Sequence, residues 1–590
     1  MKKLTLLVIM AMISVATMAQ MDLLVEVRES GTLEDVVRDV STSAKYNTTS
    51  LKVLGYIDGR DMMFIRDMCG VKDVDTPTKG ILKSLDLGDA FIVDSPVVYW
   101  SMNGKDYITK EGCFGCCFLY NCSKLEELIL PTETTRIDSL ALAGCSSLDD
   151  VEIPSSVEHI GYGAFYGCEG ITALFVPDEV RDVGIGAFQN MKRLKMLSMG
   201  NGVSEIDNSL ILGDDSLDTI NFGVRFEKFN PVVFYTAPAL NYIFVNEGNP
   251  YFSTFDGVLF SKEGDVLLSY PVASSMEDYI VPDGVKTIAP YAFYNSNSLR
   301  SVTMPHSLTA IDSLAFYGCK SLNDVKLNEG LKTIRFGAFG MPLGGNAALS
   351  KLNVPSSVSV IDGGAFLFNS SLNNLSVNDK NTYFSTNEYG MLFDKNFSTL
   401  CYVPCKIREF TIPKTVTGIG NYAFAGSLSL PSIYLNDNVE TVGDGAFAYA
   451  TGIQDISFGK GVKSVGDRVV DGCDNVKDIY WFANKIDDNN ISAFAFEDQN
   501  GSVKQKCTLH VMPGRVSYYL GKKGFCSGKD NSSFFANVVQ IDKPDSKMEI
   551  IQEQGENTYY NIQGMKSKSA LKGLNIIQLP NGSSLKKVKK

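Results

Sequence analysis

The sequence is poor in the residues that most often carry enzyme chemistry, with 3 His and 2 Trp among 590 residues. It contains no HExxH or HxH spacing, so a zinc hydrolase is not indicated, and we also predict no Cys–His nucleophile. A GxSxG motif and a phosphate-binding P-loop are missing as well. Basic residues are outnumbered, 54 Lys and Arg against 67 Asp and Glu. That balance disfavours a nucleic-acid partner. We therefore predict a non-enzymatic chain that needs no cofactor or metal.

Long hydrophobic runs are also missing, apart from a short one at the start. The basic residues Lys2 and Lys3 precede the apolar run Leu4–Val15, and small residues follow up to Gln20. This order predicts a signal peptide at residues 1–19. The run is too short to span a membrane, which takes about 20 apolar residues. We expect an exported protein, extracellular or on the outer cell surface, without membrane insertion.

What the sequence has in quantity is a repeat. A strand-like LxxIxI segment recurs along most of the chain, and the steps between its first apolar residues are mostly 23 residues. These first residues are Leu125, Leu148, Ile171, Leu194, Leu217, Leu240, Met276, Leu299, Leu322, Leu349, Leu372, Ile407, Leu430, Ile453 and Val476. A fixed period in the twenties predicts a solenoid, in which each coil buries its apolar face against its neighbours.

The letters of one repeat predict the shape of one coil. Leu148–Pro154 alternates like a strand, and Pro154 ends the ladder because it has no N–H to donate. A second short strand precedes Gly161, which permits a corner. An Ala-Phe pair then places a ring in the interior of the coil, and this pair recurs at 164–165, 187–188, 292–293, 315–316, 338–339, 365–366, 423–424 and 446–447.

The pattern LxxIxIPxxVxxIgxxAFxxCxxL, over about residues 80–515, resembles the leucine-rich repeats of BspA-like surface proteins of Bacteroidetes, a 23-residue subtype. This resemblance implies a mainly β, right-handed leucine-rich repeat solenoid with few helices, capped at both ends, and a role in adhesion or recognition. Two longer steps, near 249–271 and 381–404, predict β-hairpin inserts. The expected organisation is a signal peptide at 1–19, an N-terminal cap with first coils at 20–110, the solenoid at 111–541, a linker at 542–556, and a β segment at 557–590 that resembles a secretion signal.

Thirteen cysteines in an exported chain would ordinarily indicate disulfides. Five of them share one place in the repeat, which predicts a buried ladder of thiols; they are Cys122, Cys145, Cys168, Cys319 and Cys473. The cluster of Cys113, Cys116 and Cys117 has a CxxC spacing, a weak zinc signal; a core position or a local disulfide is the other interpretation. Disulfides Cys401–Cys405 and Cys507–Cys526 are further alternatives.

One outward side chain lies between the last two core positions of each strand. Solvent favours polar residues there, yet this row carries aromatic ones. The candidate ligand contacts are Phe175, Tyr242, Phe244, Tyr434 and Tyr480. Exposed aromatics supply large contact areas at low entropic cost, as recognition surfaces require. The competing interpretation is that they pack across strands or lie under a hairpin.

The leading functional prediction is adhesin-like recognition of a host or extracellular protein. The alternative is an accessory carbohydrate-binding or glycan-processing protein of the cell envelope, and a third possibility is a purely structural envelope protein. Acidic pairs such as Glu126-Glu127 could imitate a glycosidase pair, but they also fit a solvated acidic face.

Overall fold

The computed structural model describes residues 21–74, 76–497, 506–522, 524–525 and 535–541, together with the backbone of strands between 558 and 589. The chain divides into two compact units, Met1–Ser275 and Met276–Lys590. Short strands dominate both units, as predicted for a mainly β leucine-rich repeat protein. In the described part of the chain, no helix combines the length and the apolar character needed to cross a membrane.

The described residues of the N-terminal unit form four short helices and a long series of strands. Its helices are α1 Leu33–Val40, α2 Ala44–Asn47, α3 Gly59–Met68 and α4 Val232–Tyr235. Its strands are β1 Met21–Val27, β2 Thr48–Ile57, β3 Ser84–Asp86, β4 Ala90–Ile92, β5 Ser95–Met102, β6 Lys105–Thr109, β7 Cys113–Phe114, β8 Glu127–Ile129, β9 Arg136–Ile137, β10 Asp150–Glu152, β11 His159–Ile160, β12 Ala173–Phe175, β13 Asp182–Val183, β14 Met196–Ser198, β15 Thr219–Phe222, β16 Tyr242–Val245, β17 Phe252–Phe255, β18 Val258–Ser261 and β19 Val266–Ser269.

A cap of helices and parallel strands opens this unit. Strand β1 pairs with β2, β2 with β3, and β3 with β8 of the repeat region, all in parallel. Helix α3 begins with a capping box, in which Asp58 accepts from the backbone while Asp61 accepts from the N–H of Asp58. From its last turn, the buried Arg66 donates to the carbonyl oxygens of Cys117 and Tyr120, both at 2.9 Å. One buried guanidinium thus joins the cap to the first coil.

The coils pair in parallel through two rows of short strands. Residues 23 positions apart face each other, as in the hydrogen bond from Met191 N–H to Asp214 Oδ1. One row has the order β12-β14-β15-β16, and the other has the order β13-β11-β9-β7. Apolar side chains of the first row, such as Leu174, Leu197 and Ile220, point into the core and are buried. The core of the unit is therefore built by stacking, as the repeat requires.

The insert at 249–271 forms antiparallel strands, with β17 paired to β18 and β18 to β19. It begins at Asn249, whose side chain is buried. The Asn249 amide donates to the carbonyl oxygens of Gly223 and Phe226, and its oxygen accepts from the N–H groups of Tyr251 and Phe252. All its hydrogen-bonding capacity is used, which explains why an Asn starts the insert.

The C-terminal unit contains the helix α5 Val516–Leu520. Its strands are β20 Asp278–Ile280, β21 Thr287–Ile288, β22 Ser301–Thr303, β23 Ala310–Ile311, β24 Asp324–Lys326, β25 Thr333–Ile334, β26 Lys351–Val354, β27 Val360–Ile361, β28 Asn374–Val377, β29 Phe384–Thr386, β30 Leu392–Asp394, β31 Thr399–Tyr402, β32 Gly418–Ile419, β33 Ser432–Leu435, β34 Thr441–Val442, β35 Asp455–Phe458, β36 Ser464–Val465, β37 Asp478–Trp481, β38 Thr508–Val511, β39 Asn537–Gln540, β40 Thr558–Tyr560, β41 Lys566–Ser567, β42 Gly573–Gln578 and β43 Ser584–Lys589.

The Ala-Phe pairs of this unit stack their rings through the core. Phe293 and Phe316 have centroids 4.6 Å apart, and Phe316 and Phe339 are 5.4 Å apart with planes inclined by 3°. Each of these rings is almost fully buried. The insert at 381–404 repeats the first one: strands β29, β30 and β31 are antiparallel, and a buried Asn381 opens the segment with four hydrogen bonds.

The five cysteines that share a repeat position are buried, as predicted. The sequence did not predict that four of them donate a hydrogen bond to a carbonyl oxygen of the preceding coil. The donors are Cys145 to Leu119, Cys168 to Leu142, Cys319 to Phe293 and Cys473 to Phe447. The thiol therefore satisfies a buried backbone acceptor as well as filling space.

The chain ends hold predictions that the structure does not describe. The signal peptide at 1–19 and the linker at 542–556 lie outside the described residues. Within 557–590, strands β40 to β43 form an antiparallel sheet in the order β41-β40-β42-β43. Its resemblance to a secretion signal stays a prediction.

Candidate recognition surface and family membership

The strand face of the N-terminal unit carries two exposed aromatic residues that bracket a polar centre. In the sheet β12-β14-β15-β16, Phe175 lies beside Ser198, Ser198 beside Asn221, and Asn221 beside Phe244. The exposed fractions are 60% for Phe175 and 42% for Phe244. Adjacent strands are ~4.8 Å apart, so the two rings stand roughly 14 Å apart. We call these four residues with Tyr242 the aromatic strand face.

Tyr242 enlarges the end of this face. It precedes Phe244 by two residues on β16, so both side chains leave the same side of the strand. Their rings are nearly parallel, inclined by 7° with centroids 5.9 Å apart. The neighbouring insert supports this edge, because Ile243 N–H donates to the carbonyl oxygen of Gly257 at 3.0 Å. Gly257 also has to be a glycine, since a Cβ there would lie 2.8 Å from Tyr242 Cδ1.

Tyr434 occupies the equivalent position on β33 of the C-terminal unit, but it is half-buried. Its hydroxyl donates to Asp437 Oδ1 at 3.2 Å, and its ring packs against a small cluster that includes Tyr480 and Phe482. Burial is the main cause that raises the pKa of the Tyr434 hydroxyl. Tyr434 therefore offers less contact surface than the three aromatics of the other unit.

The expectation that Tyr480 is exposed is wrong, because its exposed fraction is 7%. The next strand, β38, places His510 directly beside it, and the two rings stack with centroids 4.4 Å apart. The ring of His510 is held there by Asp478, whose Oδ1 lies 2.5 Å from Nε2. Tyr480 illustrates the competing interpretation of the row, in which an aromatic side chain packs across strands.

Sequence reasoning missed exposed aromatics outside the strand row. Tyr251 and Phe255, on the insert, have exposed fractions of 48% and 60%. Tyr162 and Tyr166, at the Ala-Phe corner of one coil, are exposed as well. The sequence held a signal for three of them, because Tyr162 and Tyr166 adjoin corner glycines and Tyr251 begins an insert, whereas Phe255 has no such signal.

The structure describes most of the cysteines for which a zinc site, a disulfide or a core position had been left open. Cys113, Cys116 and Cys117 are free thiols, and Cys113 Sγ lies 3.4 Å from Asp138 Oδ2. Burial raises the pKa of Cys113 to about 12. Cys401 and Cys405 are free thiols too, whereas Cys526, the expected partner of Cys507, lies outside the described residues. Within the described residues, no group of three or more His, Cys, Asp or Glu side chains is placed to hold a metal ion.

The acidic pair Glu126-Glu127 is engaged in local contacts. Glu126 pairs with Lys83 Nζ at 2.6 Å, and Glu127 accepts from the hydroxyl of Ser84 at 2.9 Å. These contacts are those of a solvated face with partners on the preceding coil.

The sequence matches the family described as the BspA type leucine rich repeat region, in six copies, over residues 114–241, 272–391 and 395–508. The chain belongs to this family. No curated protein matches it significantly. Its BspA-type repeats are thus built from parallel rows of strands, stacks of buried Phe rings and ladders of buried thiols.

Several solved structures are similar to this BspA-type chain. They include the pneumococcal vaccine antigen PcpA, at 18% identity over 71% of this chain and 80% of that one, with a TM-score of 0.34. A leucine rich cell surface protein of Faecalibacterium prausnitzii has 19% identity, over 62% and 86%, with a TM-score of 0.34. A leucine-rich repeat protein of Eubacterium ventriosum has 21% identity, over 44% and 75%, with a TM-score of 0.35. These likenesses are too distant to inform on the ligand.

Proposed function

We propose that this BspA-type protein is an exported, non-catalytic recognition protein that binds a host or extracellular protein through the aromatic strand face. The observation that carries the proposal is the exposure of Phe175, Tyr242 and Phe244 on one sheet that a stacked core holds rigid. The three side chains expose about 300 Å² of mostly apolar surface, with Phe175 on one side of the polar centre and Tyr242 and Phe244 on the other. Exposed aromatic anchors are enriched at interaction sites.

The polar centre of the face supports specificity. Ser198 and Asn221 lie between the two outer rings and can donate and accept hydrogen bonds. Aromatic anchors around a few polar groups are the usual composition of an interface core. Tyr434 is retained as a second, smaller candidate contact in the C-terminal unit.

A polysaccharide is the second candidate ligand. The row of Phe175, Ser198, Asn221 and Phe244 places hydroxyl and amide groups between rings roughly 14 Å apart, which also suits a chain of hydroxyl-rich units.

The test is binding of residues 20–590 to a panel of extracellular-matrix proteins and polysaccharides, with a Phe175→Ala/Tyr242→Ala/Phe244→Ala variant beside it. If one of the three residues is a hot spot worth about 2 kcal/mol, the dissociation constant should rise about 30-fold, and a second hot spot would raise it further. The matched control is Phe91→Ala/Tyr162→Ala/Tyr166→Ala, with exposed fractions of 46%, 58% and 42% in the same unit. Equal binding by both variants would remove the aromatic strand face as the site.

A further inference from the structure

The C-terminal unit contains a cavity that is separate from the aromatic strand face. Its volume is about 640 Å³, and it opens beside the Ala-Phe corners of successive coils. Five aromatic rings and three carboxylates line it, together with one arginine. The rings are Phe336, Phe368, Tyr422, Tyr449 and Phe494, and the carboxylates are Asp444, Asp467 and Asp471.

The planes of neighbouring rings are steeply inclined to each other, so the rings do not form a flat platform. Phe336 and Tyr422 have centroids 5.5 Å apart and planes inclined by 60°. Phe368 and Tyr449 are also 5.5 Å apart, and their planes are inclined by 85°. The rings of each pair are in contact with each other, so a ligand would meet these rings from the cavity and would not fit between the two rings of one pair. Aromatic rings around a cavity are the setting in which aromatic cages hold ammonium groups.

The backbone is arranged to admit these rings. Tyr422 and Tyr449 have positive φ values of 56° and 53°, in a region that bulky residues rarely occupy. In the adjacent coils the equivalent positions are Gly445 and Gly472, where a Cβ would lie 2.4 Å from a Tyr422 ring atom and 2.3 Å from a Tyr449 ring atom. Glycine in one coil thus makes room for an aromatic ring from the preceding coil. Other coils hold the same left-handed conformation at the position of Tyr422, so it belongs to the repeat corner; the residues there include Leu140, Tyr291 and Leu314.

The electrostatics of the cavity favour a cation. Asp444 and Asp467 are exposed at its edge, and Asp471 is buried in its wall. The arginine of the cavity, Arg468, is paired with Glu497, with Nε 3.0 Å from Oε2. Arg468 also interacts electrostatically with Asp471 and Asp467, so the carboxylates around the cavity outnumber its single cation. Burial, and after it Asp444 and Asp471, raise the pKa of the Tyr422 hydroxyl, in keeping with a negative potential at its ring.

We propose that this cavity binds an organic cation, an alkylammonium or guanidinium group that contacts the aromatic lining and is balanced by Asp444 and Asp467. The group can come from a small free amine or from a Lys or Arg side chain of a bound polypeptide. The proposal concerns the C-terminal unit and does not depend on the aromatic strand face.

The test is calorimetric titration of residues 20–590 with choline and with 3,3-dimethylbutan-1-ol, its neutral isostere of nearly equal shape. Choline should bind at least about 10-fold more tightly, because only the charged ligand gains from the rings and the carboxylates. Nα-acetyl-lysine methylamide and trilysine are titrated in parallel. Tighter binding of trilysine than of choline identifies a polypeptide source, and the reverse identifies a small amine.

Substitutions test whether the residues of this cavity are the ones that bind choline. The double variant Asp444→Asn/Asp467→Asn removes two negative charges but keeps an Oδ1 atom at position 444, which accepts from the backbone N–H of residue 467 at 2.7 Å. Choline should therefore bind this variant about 10-fold more weakly. Asp283→Asn/Asp379→Asn, at two exposed carboxylates of the same unit, should leave binding unchanged. Phe494→Ala should weaken binding as well; Phe494 is 52% exposed, and Tyr383→Ala, at 54%, is its control. Equal binding of choline and its isostere, no binding of either, or equal loss with both carboxylate pairs would overturn the proposal.

Discussion

Asp214 is expected to lower the free energy of unfolding of the N-terminal unit near neutral pH. It occupies the repeat position that cysteine holds in other coils, three residues before the strand marker, and its side chain is fully buried. Oδ1 accepts from Met191 N–H at 2.7 Å, while Oδ2 is buried without a hydrogen-bond partner. Burial raises the pKa of Asp214 to about 8.

Because its pKa is raised, Asp214 lowers the free energy of unfolding by an amount that depends on pH. An ordinary aspartate, with a pKa of 3.8, is ionised at neutral pH in the unfolded chain, whereas the folded chain binds a proton. Between pH ~4 and ~8 the folded state therefore holds more protons, so this residue's contribution to stability falls as the pH rises. At pH 7 the cost reaches about 4 kcal/mol, from 1.36 kcal/mol per pKa unit over the interval from 3.8 to 7.

Asp214→Asn should remove this cost, because an amide fits the position. Asn369 occupies the same repeat position in another coil, where Nδ2 donates to the Phe339 carbonyl oxygen at 3.1 Å and Oδ1 accepts from backbone N–H groups. The expected gain in the free energy of unfolding is up to about 4 kcal/mol at pH 7 and close to zero near pH 4.

The assay is urea unfolding of the wild type and Asp214→Asn at a series of pH values from 4.5 to 8, with the difference in midpoint as the readout. Asp215→Asn is the matched control, because Asp215 is adjacent and exposed; its effect should stay within about 0.5 kcal/mol at every pH. A variant that is no more stable than the wild type at pH 7, or a gain that is the same at pH 4.5 and 7.5, would refute the reasoning.

Three further changes should lower stability by amounts that urea unfolding can resolve. Arg66→Met should cost about 3 kcal/mol, because carbonyl oxygens of the first coil lose a buried charged donor; an equal midpoint would show that the cap is not joined there. Tyr519→Phe should cost about 1–3 kcal/mol, since the indole N–H of Trp481 loses its acceptor at 2.7 Å, and near-ultraviolet circular dichroism should report the altered Trp481 environment. Asn381→Ala should cost about 2–4 kcal/mol through the loss of four buried hydrogen bonds; exposure of the insert to limited proteolysis should rise with it, and unchanged proteolysis would contradict this role.

The repeat period was sufficient to predict the coil, because stacking fixes which positions are buried. The Phe stacks, the buried thiols and the parallel strand pairs all follow from positions that recur every 23 residues. The N-terminal helices α1 and α2 were not predicted, since the cap does not follow the period. Tyr480 has the same repeat position as Phe244, yet it is buried because the following coil supplies His510. The exposure of an outward side chain is thus set by the residue on the next strand, which a single-repeat pattern does not contain.

The same dependence on neighbours explains how one repeat can produce different surfaces. The two left-handed backbone positions at each corner require glycine or accept strain, and a bulky residue in one coil can lie against a glycine of the next, as Leu140 does at Gly163 and Tyr422 at Gly445. In successive coils Gly364 and Phe368 are followed by Tyr422 and Gly426, so the two positions alternate. This alternation lets rings lean across the adjacent coil and leaves space between them, which is how the cavity of the C-terminal unit arises. Where both corner positions are glycine, as at Gly163 and Gly167, no side chain can line such a space. Binding sites in this architecture therefore depend on the order of glycine and aromatic residues along the coils, while the core residues stay the same.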